Sequence, residues 1–279
     1  MRPRLIEALR GSGLDWVAFL VPTPPVVYAL AFLVVVALFV QRSRQVSLST
    51  DRAVDAALLA SAVALVGARV YFLAVHGLIA YADLRTWFSW EGTASWGAYL
   101  GAMLGLTCYL RTVRVSPLPY LDVAASCAGL GIFVGRWSCL LNGDDFGRIS
   151  TAPWAIRYPV GSLPYAAQIS AGSLAPGAEL SLPAHPLQIY LALNGLVIFF
   201  MISALWRRRR HIPGLTLTAF WVLYTATRFF WEFLRDPSAG GARSLLSSSQ
   251  VMCLVLFAAS VALMVYRHLE LRTKRFGPR

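Results

Sequence analysis

Charge is scarce in this 279-residue chain: 14% of the residues are charged, with 13 acidic against 25 basic. An ordinary soluble domain carries about 25% charge and roughly 45–50% apolar residues. Here hydrophobic residues reach 57% and the mean hydropathy is +0.60. That balance excludes a water-soluble globule with one core, a disordered chain and a coiled coil. Cysteine is equally sparse. Cys108, Cys127, Cys139 and Cys253 stand in apolar surroundings without paired spacing, which argues against a disulfide framework, a zinc site or any metal-ligand cluster. No internal repeat is visible, and no short apolar run leads into a small-residue cleavage site, so no removable signal peptide is expected. The composition is that of an integral membrane protein.

A bilayer core takes about 20 mostly apolar residues per helix. Seven stretches qualify: 25–41, 57–79, 95–110, 117–140, 187–206, 213–234 and 249–266. Pro22, Pro24 and Pro25 separate an interfacial segment, Val17–Val21, from the first span. Basic residues set the orientation. With the N-terminus outside, Arg42, Arg44 and Arg52, Arg111 and Arg114, Arg207–Arg210 and a basic C-terminal tail all fall inside, against fewer outside. The expectation is an all-α polytopic protein of about seven transmembrane helices with a cytoplasmic C-terminus. The net charge of +12 is then mostly topogenic, and no nucleic-acid partner is expected. Residues 1–279 form a single membrane domain in this reading. The Pro-, Gly- and Ser-rich connection 142–186 lies outside, as an ordered cap or a loose loop.

Three arginines fall within spans, where an Arg costs about 2.5–3.5 kcal/mol on insertion scales and marks a functional site by default. Arg69 either serves a site or is satisfied structurally, by Asp55, by Asp122 or by snorkelling. Arg228 and Glu232, four apart, share a helix face with Arg235 one turn on. They are either a self-neutralised pair or a pocket in which Arg228 binds an anion and Glu232 orients it. Arg136 opens the stretch Gly135–Arg148, where Gly143 and Gly147 permit tight turns and Asn142, Asp144 and Arg148 add hydrogen-bonding groups. Asn142 and Gly143 would serve a plain helix cap equally well. Intramembrane arginines near one leaflet point to an anionic substrate, and the abundant anion of a bilayer is a phospholipid head group.

The segments Tyr28-Ala-Leu, Gly67-Ala-Arg-Val-Tyr71, Gly97-Ala-Tyr-Leu-Gly101, Gly135-Arg136…Asn142-Gly143…Gly147-Arg148, His185-Pro-Leu-Gln188-Ile-Tyr190, Arg228-Phe-Phe-Trp-Glu232-Phe-Leu-Arg235 and Gln250 occur in this order. Together they resemble the phosphatidylglycerol–prolipoprotein diacylglyceryl transferase family over nearly the whole chain. The resemblance implies transfer of the diacylglyceryl group of phosphatidylglycerol to the lipobox cysteine thiol of a preprolipoprotein, the first step of bacterial lipoprotein maturation. It implies a multi-pass protein of the bacterial inner membrane whose partners are phosphatidylglycerol, preprolipoprotein signal peptides and membrane lipids, with no cofactor or metal. Arg136, Arg228 and Glu232 are the catalytic candidates it names. Tyr28, Arg69, Trp96, Asn142, Gly143, Asp144, Gly147, His185, Gln188, Tyr190 and Arg235 are the substrate-binding ones.

The chain departs from the family's common pattern at three places. Trp96 stands where a His usually precedes the glycine pair, which removes the obvious general base. Ser138-Cys139-Leu140 replaces the usual Gly-Asn-Phe, and Asp144 replaces a Glu. Cys139 is read either as a nucleophile or as a buried structural thiol. His185, His76, His211 and His268 offer no clear substitute for the base. The alternatives to the transferase are a divergent paralogue with another lipid or thiol transfer activity, and a non-catalytic phospholipid-binding protein.

Overall fold

The computed structural model describes residues 24–77, 94–241 and 245–276. The interfacial segment expected at Val17–Val21 lies outside these residues. The described chain is helical: α1 (Pro24–Gln45), α2 (Thr50–His76), α3 (Ser95–Thr112), α4 (Pro117–Asn142), α5 (Leu163–Ser170), α6 (Leu187–Arg209), α7 (Leu215–Trp231) and α8 (Ser248–Phe276), with 3₁₀ turns at Glu232–Leu234 and Pro237–Ala239. Among the described residues strand pairing is limited to isolated bridges.

Among the described residues five helices are long and apolar enough to cross a membrane, at Val26–Gln45, Thr50–His76, Pro117–Asn142, Leu187–Arg209 and Ser248–Arg267. They leave large apolar side chains exposed, including Leu33, Leu65 and Val255, as surfaces solvated by lipid do. Two of the seven expected spans do not reach this standard. In α3 three glycines, two tyrosines and Arg111 lower the mean hydropathy. The other, α7, has 17 residues and stops at Trp231, where the backbone tightens into the 3₁₀ turn.

The chain divides into two compact units. One comprises the described residues of 36–127, 202–222 and 258–276. Its centre is the α2–α3 pair. Gly97, Gly101 and Gly105, spaced by four, run along one face of α3. A Cβ on Gly97 would lie 2.1 Å from the Gly67 carbonyl oxygen, and one on Gly101 2.5 Å from that of Val63. The helices therefore touch backbone to backbone, as small residues at four-residue spacing allow in membranes. Buried Ala53, Ala56, Ala57 and Ala60 continue the small-residue surface of α2. Asp122, almost wholly buried, accepts the Gly214 N–H at 2.6 Å and the Leu217 N–H at 2.8 Å, capping the start of α7. The buried Arg42 donates to the Ser126 carbonyl at 2.8 Å and the Ser203 hydroxyl at 2.9 Å, and lies over the Trp206 ring.

The other unit comprises the described residues of 24–35, 128–201 and 223–257. Within it α4 and α6 meet at Gly129, whose Cβ would lie 2.6 Å from the Gly195 carbonyl oxygen. The connection between these helices is folded. Phe146, Tyr158 and Ala184 form its buried centre, with bridges Ile149–Ala184, Ile156–Ala184 and Pro159–Leu180. Gln168 works as a clasp: its Oε1 accepts the Leu182 N–H at 2.7 Å and its amide donates to the Leu182 carbonyl. Burial pushes the Tyr158 hydroxyl up to about 12, and its proton is donated to Gln188 Oε1 at 3.2 Å.

Candidate active site

The second unit holds a buried cluster of arginines and carboxylates. Arg136 sits near the end of α4, six residues before Asn142 closes it. The chain then turns through Gly143 (φ 80°) and Asp145 (φ 54°), the left-handed region that Gly and Asp enter at low cost. This turn folds the Asp145 carboxylate back onto Arg136 and onto Arg235, and both guanidinium groups form ion pairs with it. Burial alone would raise that carboxyl, but the charges of Arg235, Arg136 and Arg228 hold it well below the usual carboxylate range. The same exchange acts on Arg235: burial works against its charge, but Asp145 and Glu232 outweigh it and raise its affinity for the proton.

Glu232, fully buried, lies between two arginines: Arg228 Nη2 is 2.8 Å from Oε2, and Arg235 Nη1 is 3.2 Å from Oε1. Ser247 donates its hydroxyl proton to Oε1 at 3.2 Å. The Arg228–Glu232 contact is an ion pair without hydrogen-bond alignment, and Arg228 Nη1 has no hydrogen-bond partner. A buried guanidinium nitrogen left unmatched costs on the order of 1–3 kcal/mol unless a ligand completes it. Three guanidinium groups thus meet two carboxylates that are already engaged.

Around this cluster, the Tyr28 hydroxyl and Cys139 Sγ approach to 3.4 Å, and Cys139 lies 3.9 Å from Arg136 Nη1. Asn142 donates to Asp144 Oδ2 at 2.9 Å, and Gln188 donates to the Asp144 carbonyl at 2.6 Å. Gly147 has to be a glycine: its N–H donates to the His185 carbonyl, and a Cβ there would lie 2.6 Å from that oxygen. His185 Nδ1 is 3.2 Å from the Tyr190 hydroxyl, which also accepts the Trp154 indole N–H at 2.6 Å. Arg148 donates to the Arg235 carbonyl and its N–H to that of Leu234, tying the turn after α4 to the turn after α7.

The structure therefore gathers Tyr28, Arg136, Asn142, Gly143, Asp144, Gly147, His185, Gln188, Tyr190, Arg228, Glu232 and Arg235 into one compact unit. Arg69 and Trp96 belong to the other unit, both buried. There the Arg69 guanidinium lies over the Phe72 ring and Trp96 meets Tyr99 edge to face. The two carboxylates weighed as partners of Arg69 are engaged elsewhere, Asp55 by the Tyr109 hydroxyl and Asp122 by the start of α7. Sequence reasoning passed over Asp145 and Ser247. The signal for Asp145 was the doublet Asp144-Asp145 inside a stretch otherwise marked by arginines; Ser247 carries none.

Ligand atoms of Cys139, Asp144 and Asp145 lie within 4.8 Å of one another, close enough for a metal ion. Arg136 and Arg235 already supply the cationic partners of Asp145, so the group reads as part of the arginine–carboxylate cluster.

The chain matches the family described as prolipoprotein diacylglyceryl transferase over residues 21–266. It belongs to that family. A member from Cereibacter sphaeroides, named phosphatidylglycerol–prolipoprotein diacylglyceryl transferase, is 38% identical over 154 residues, covering 54% of this chain and 50% of that relative. The match thus spans about half the length of that relative. Members of the same name from Geobacter sulfurreducens and Rhodospirillum rubrum are 27% and 29% identical, covering 80% and 85% of this chain and 80% and 86% of their own. The family match encloses every residue of the cluster, from Tyr28 to Ser247.

Proposed function

We propose that this member is a working diacylglyceryl transferase, which moves diacylglyceryl from phosphatidylglycerol to the lipobox cysteine of a preprolipoprotein. The observation that carries this reading is the buried Arg228, whose Nη1 lacks a hydrogen-bond partner beside an ion-paired Arg136 and Arg235. A phosphate head group supplies the missing acceptor. In the transfer, the sulfur attacks the glycerol carbon bound to phosphate, the carbon–oxygen bond breaks, and glycerol phosphate leaves. Arg136 and Arg228 neutralise the charge that gathers on the leaving phosphate. Glu232 holds Arg228 and Arg235 in place, while Tyr28, Asn142, Asp144, His185, Gln188 and Tyr190 border the head group and acceptor thiol. No cofactor enters this scheme.

The same reading has seven spans, α3 and α7 included, with the N-terminus outside and the C-terminus in the cytoplasm of a bacterial inner membrane. Residues 142–186 then form a small periplasmic cap on a single membrane domain. Arg69 and Trp96, buried on α2 and α3, are carried in this reading as lipid-binding residues. The Trp at position 96 favours one second reading, a paralogue that transfers another lipid or thiol. Expression in cells depleted of their own transferase separates the two. Thioether-modified lipoprotein, seen by mass spectrometry, supports the transferase; unmodified preprolipoprotein despite good membrane expression supports the paralogue.

A further inference from the structure

Transfer to a thiol requires that its proton be taken, since a free thiol with a pKa of about 8.5 is mostly protonated at neutral pH. The cluster narrows the choice of acceptor. Arginine cannot take a proton. Asp145 is gripped by two guanidinium groups and is a weak base. Both oxygens of Glu232 face cations, and one also takes the Ser247 hydroxyl. His185 is directed at the Tyr190 hydroxyl.

Asp144 differs from all of these. Its Oδ2 accepts the Asn142 amide, while its Oδ1 is buried without a hydrogen bond of good geometry, the Cys139 thiol lying beside the carboxylate. Its backbone is fixed at both ends, by the Gln188 amide on its carbonyl and by its own N–H on the Cys139 carbonyl. A carboxylate oxygen buried without a donor is costly, so a donor is expected to arrive with the substrate. The charged and titratable groups around it are Asp145, Arg136, Cys139 and Tyr28. Burial first, and then the charge of Asp145, raise its carboxyl above the usual range, toward the strength a general base needs.

The geometry points to Asp144 as the residue that takes the proton of the acceptor thiol, an inference that rests on the transferase reading. The S–H proton passes to Oδ1 and the sulfur electron pair forms the carbon–sulfur bond. The carbon–oxygen bond breaks with its electrons going to glycerol phosphate. Asp144 then gives its proton to that phosphate or to water and is a carboxylate again.

The test uses the full-length protein in lipid nanodiscs containing phosphatidylglycerol, a synthetic lipobox peptide, and a pH series. Asp144→Asn is expected to lower kcat about 100-fold or more, with the lipid KM little changed. The acidic limb of the wild-type pH profile should disappear with it. Asp144→Glu, which restores a carboxylate, should recover much of the rate. A peptide carrying selenocysteine, ionised at neutral pH without help, should react with Asp144→Asn nearly as fast as with the wild type. Wild-type kcat and pH profile in Asp144→Asn would overturn the assignment. So would a loss confined to the lipid KM and not relieved by selenocysteine, which would make Asp144 a head-group ligand. If the wild type itself forms no thioether, the transferase reading falls first and this role falls with it.

Discussion

Replacing Asp145 with Asn tests whether the cluster is held together as described. Its carboxylate is shared by Arg136 and Arg235, whose side chains are 7% and 14% exposed, and is itself 21% exposed. Removing one partner of a buried ion pair costs roughly 3–5 kcal/mol, because the remaining charge stays buried without compensation. The partial exposure of Asp145, and the oxygen that Asn retains, place the expected loss at the lower end, about 3 kcal/mol. For a chain of this size that is a fall in Tm of about 6 °C. Thermal unfolding of the purified protein in detergent measures it, with Glu270→Gln as the control. Glu270 pairs with Arg267 at 2.8 Å where both are about a quarter exposed, and its loss should stay within about 0.5 kcal/mol. The sign of the pH dependence follows from the depressed carboxyl. Its stabilisation is complete above the unfolded-state pKa of about 3.9 and fades only as pH falls through the lower folded value, so the Asp145→Asn deficit should be constant across neutral pH. A Tm for Asp145→Asn equal to that of the control would refute the idea that Asp145 organises the arginines.

Arg228→Ala and Arg136→Ala should each lower transfer activity by about 100- to 1,000-fold, and Lys should rescue only partly, because an ammonium loses the planar fork; activity assays on purified variants read this directly. Gly97→Val should separate α2 from α3, since even a Cβ meets the Gly67 carbonyl at 2.1 Å, and should abolish recovery of folded protein from membranes. Asp122→Ala should destabilise the protein by about 1–2 kcal/mol through loss of the α7 cap, seen as a lower Tm without a change in substrate preference. For topology, in a Cys108→Ser background that removes the exposed native thiol, Ser173→Cys should label from the periplasm and Ser47→Cys should not; the reverse pattern would invert the orientation.

What could be read from the sequence was whatever depends on short spacing. The four-residue step from Arg228 to Glu232 predicted one helix face, and the two residues do pair. Composition predicted long apolar helices, and five of the seven expected spans reach the length and hydropathy of a crossing. The Asp145 contacts were not legible because one of them joins residues 90 apart, brought together by a turn whose direction depends on a left-handed backbone at Asp145. The end of α7 was misread for a related reason. Arg235 was expected one helical turn beyond Glu232, but the chain leaves the helix at Trp231 and Arg235 is extended, which frees its guanidinium to reach Asp145. The folded connection between α4 and α6 has no helical or alternating pattern to announce it. Its order comes from side-chain clasps such as Gln168 to Leu182 and Tyr158 to Gln188.

The central proposal is that the arginine cluster holds the phosphate head group as the leaving group while the diacylglyceryl group passes to a thiol. It is tested most directly by mixing the purified protein with phosphatidylglycerol labelled in both its acyl chains and its head group, and a lipobox peptide. The account predicts a peptide carrying the labelled diacylglyceryl thioether, an equal amount of labelled glycerol phosphate, and neither product with Arg228→Ala. Peptide left unmodified by the wild type, or glycerol phosphate released without thioether, would contradict it.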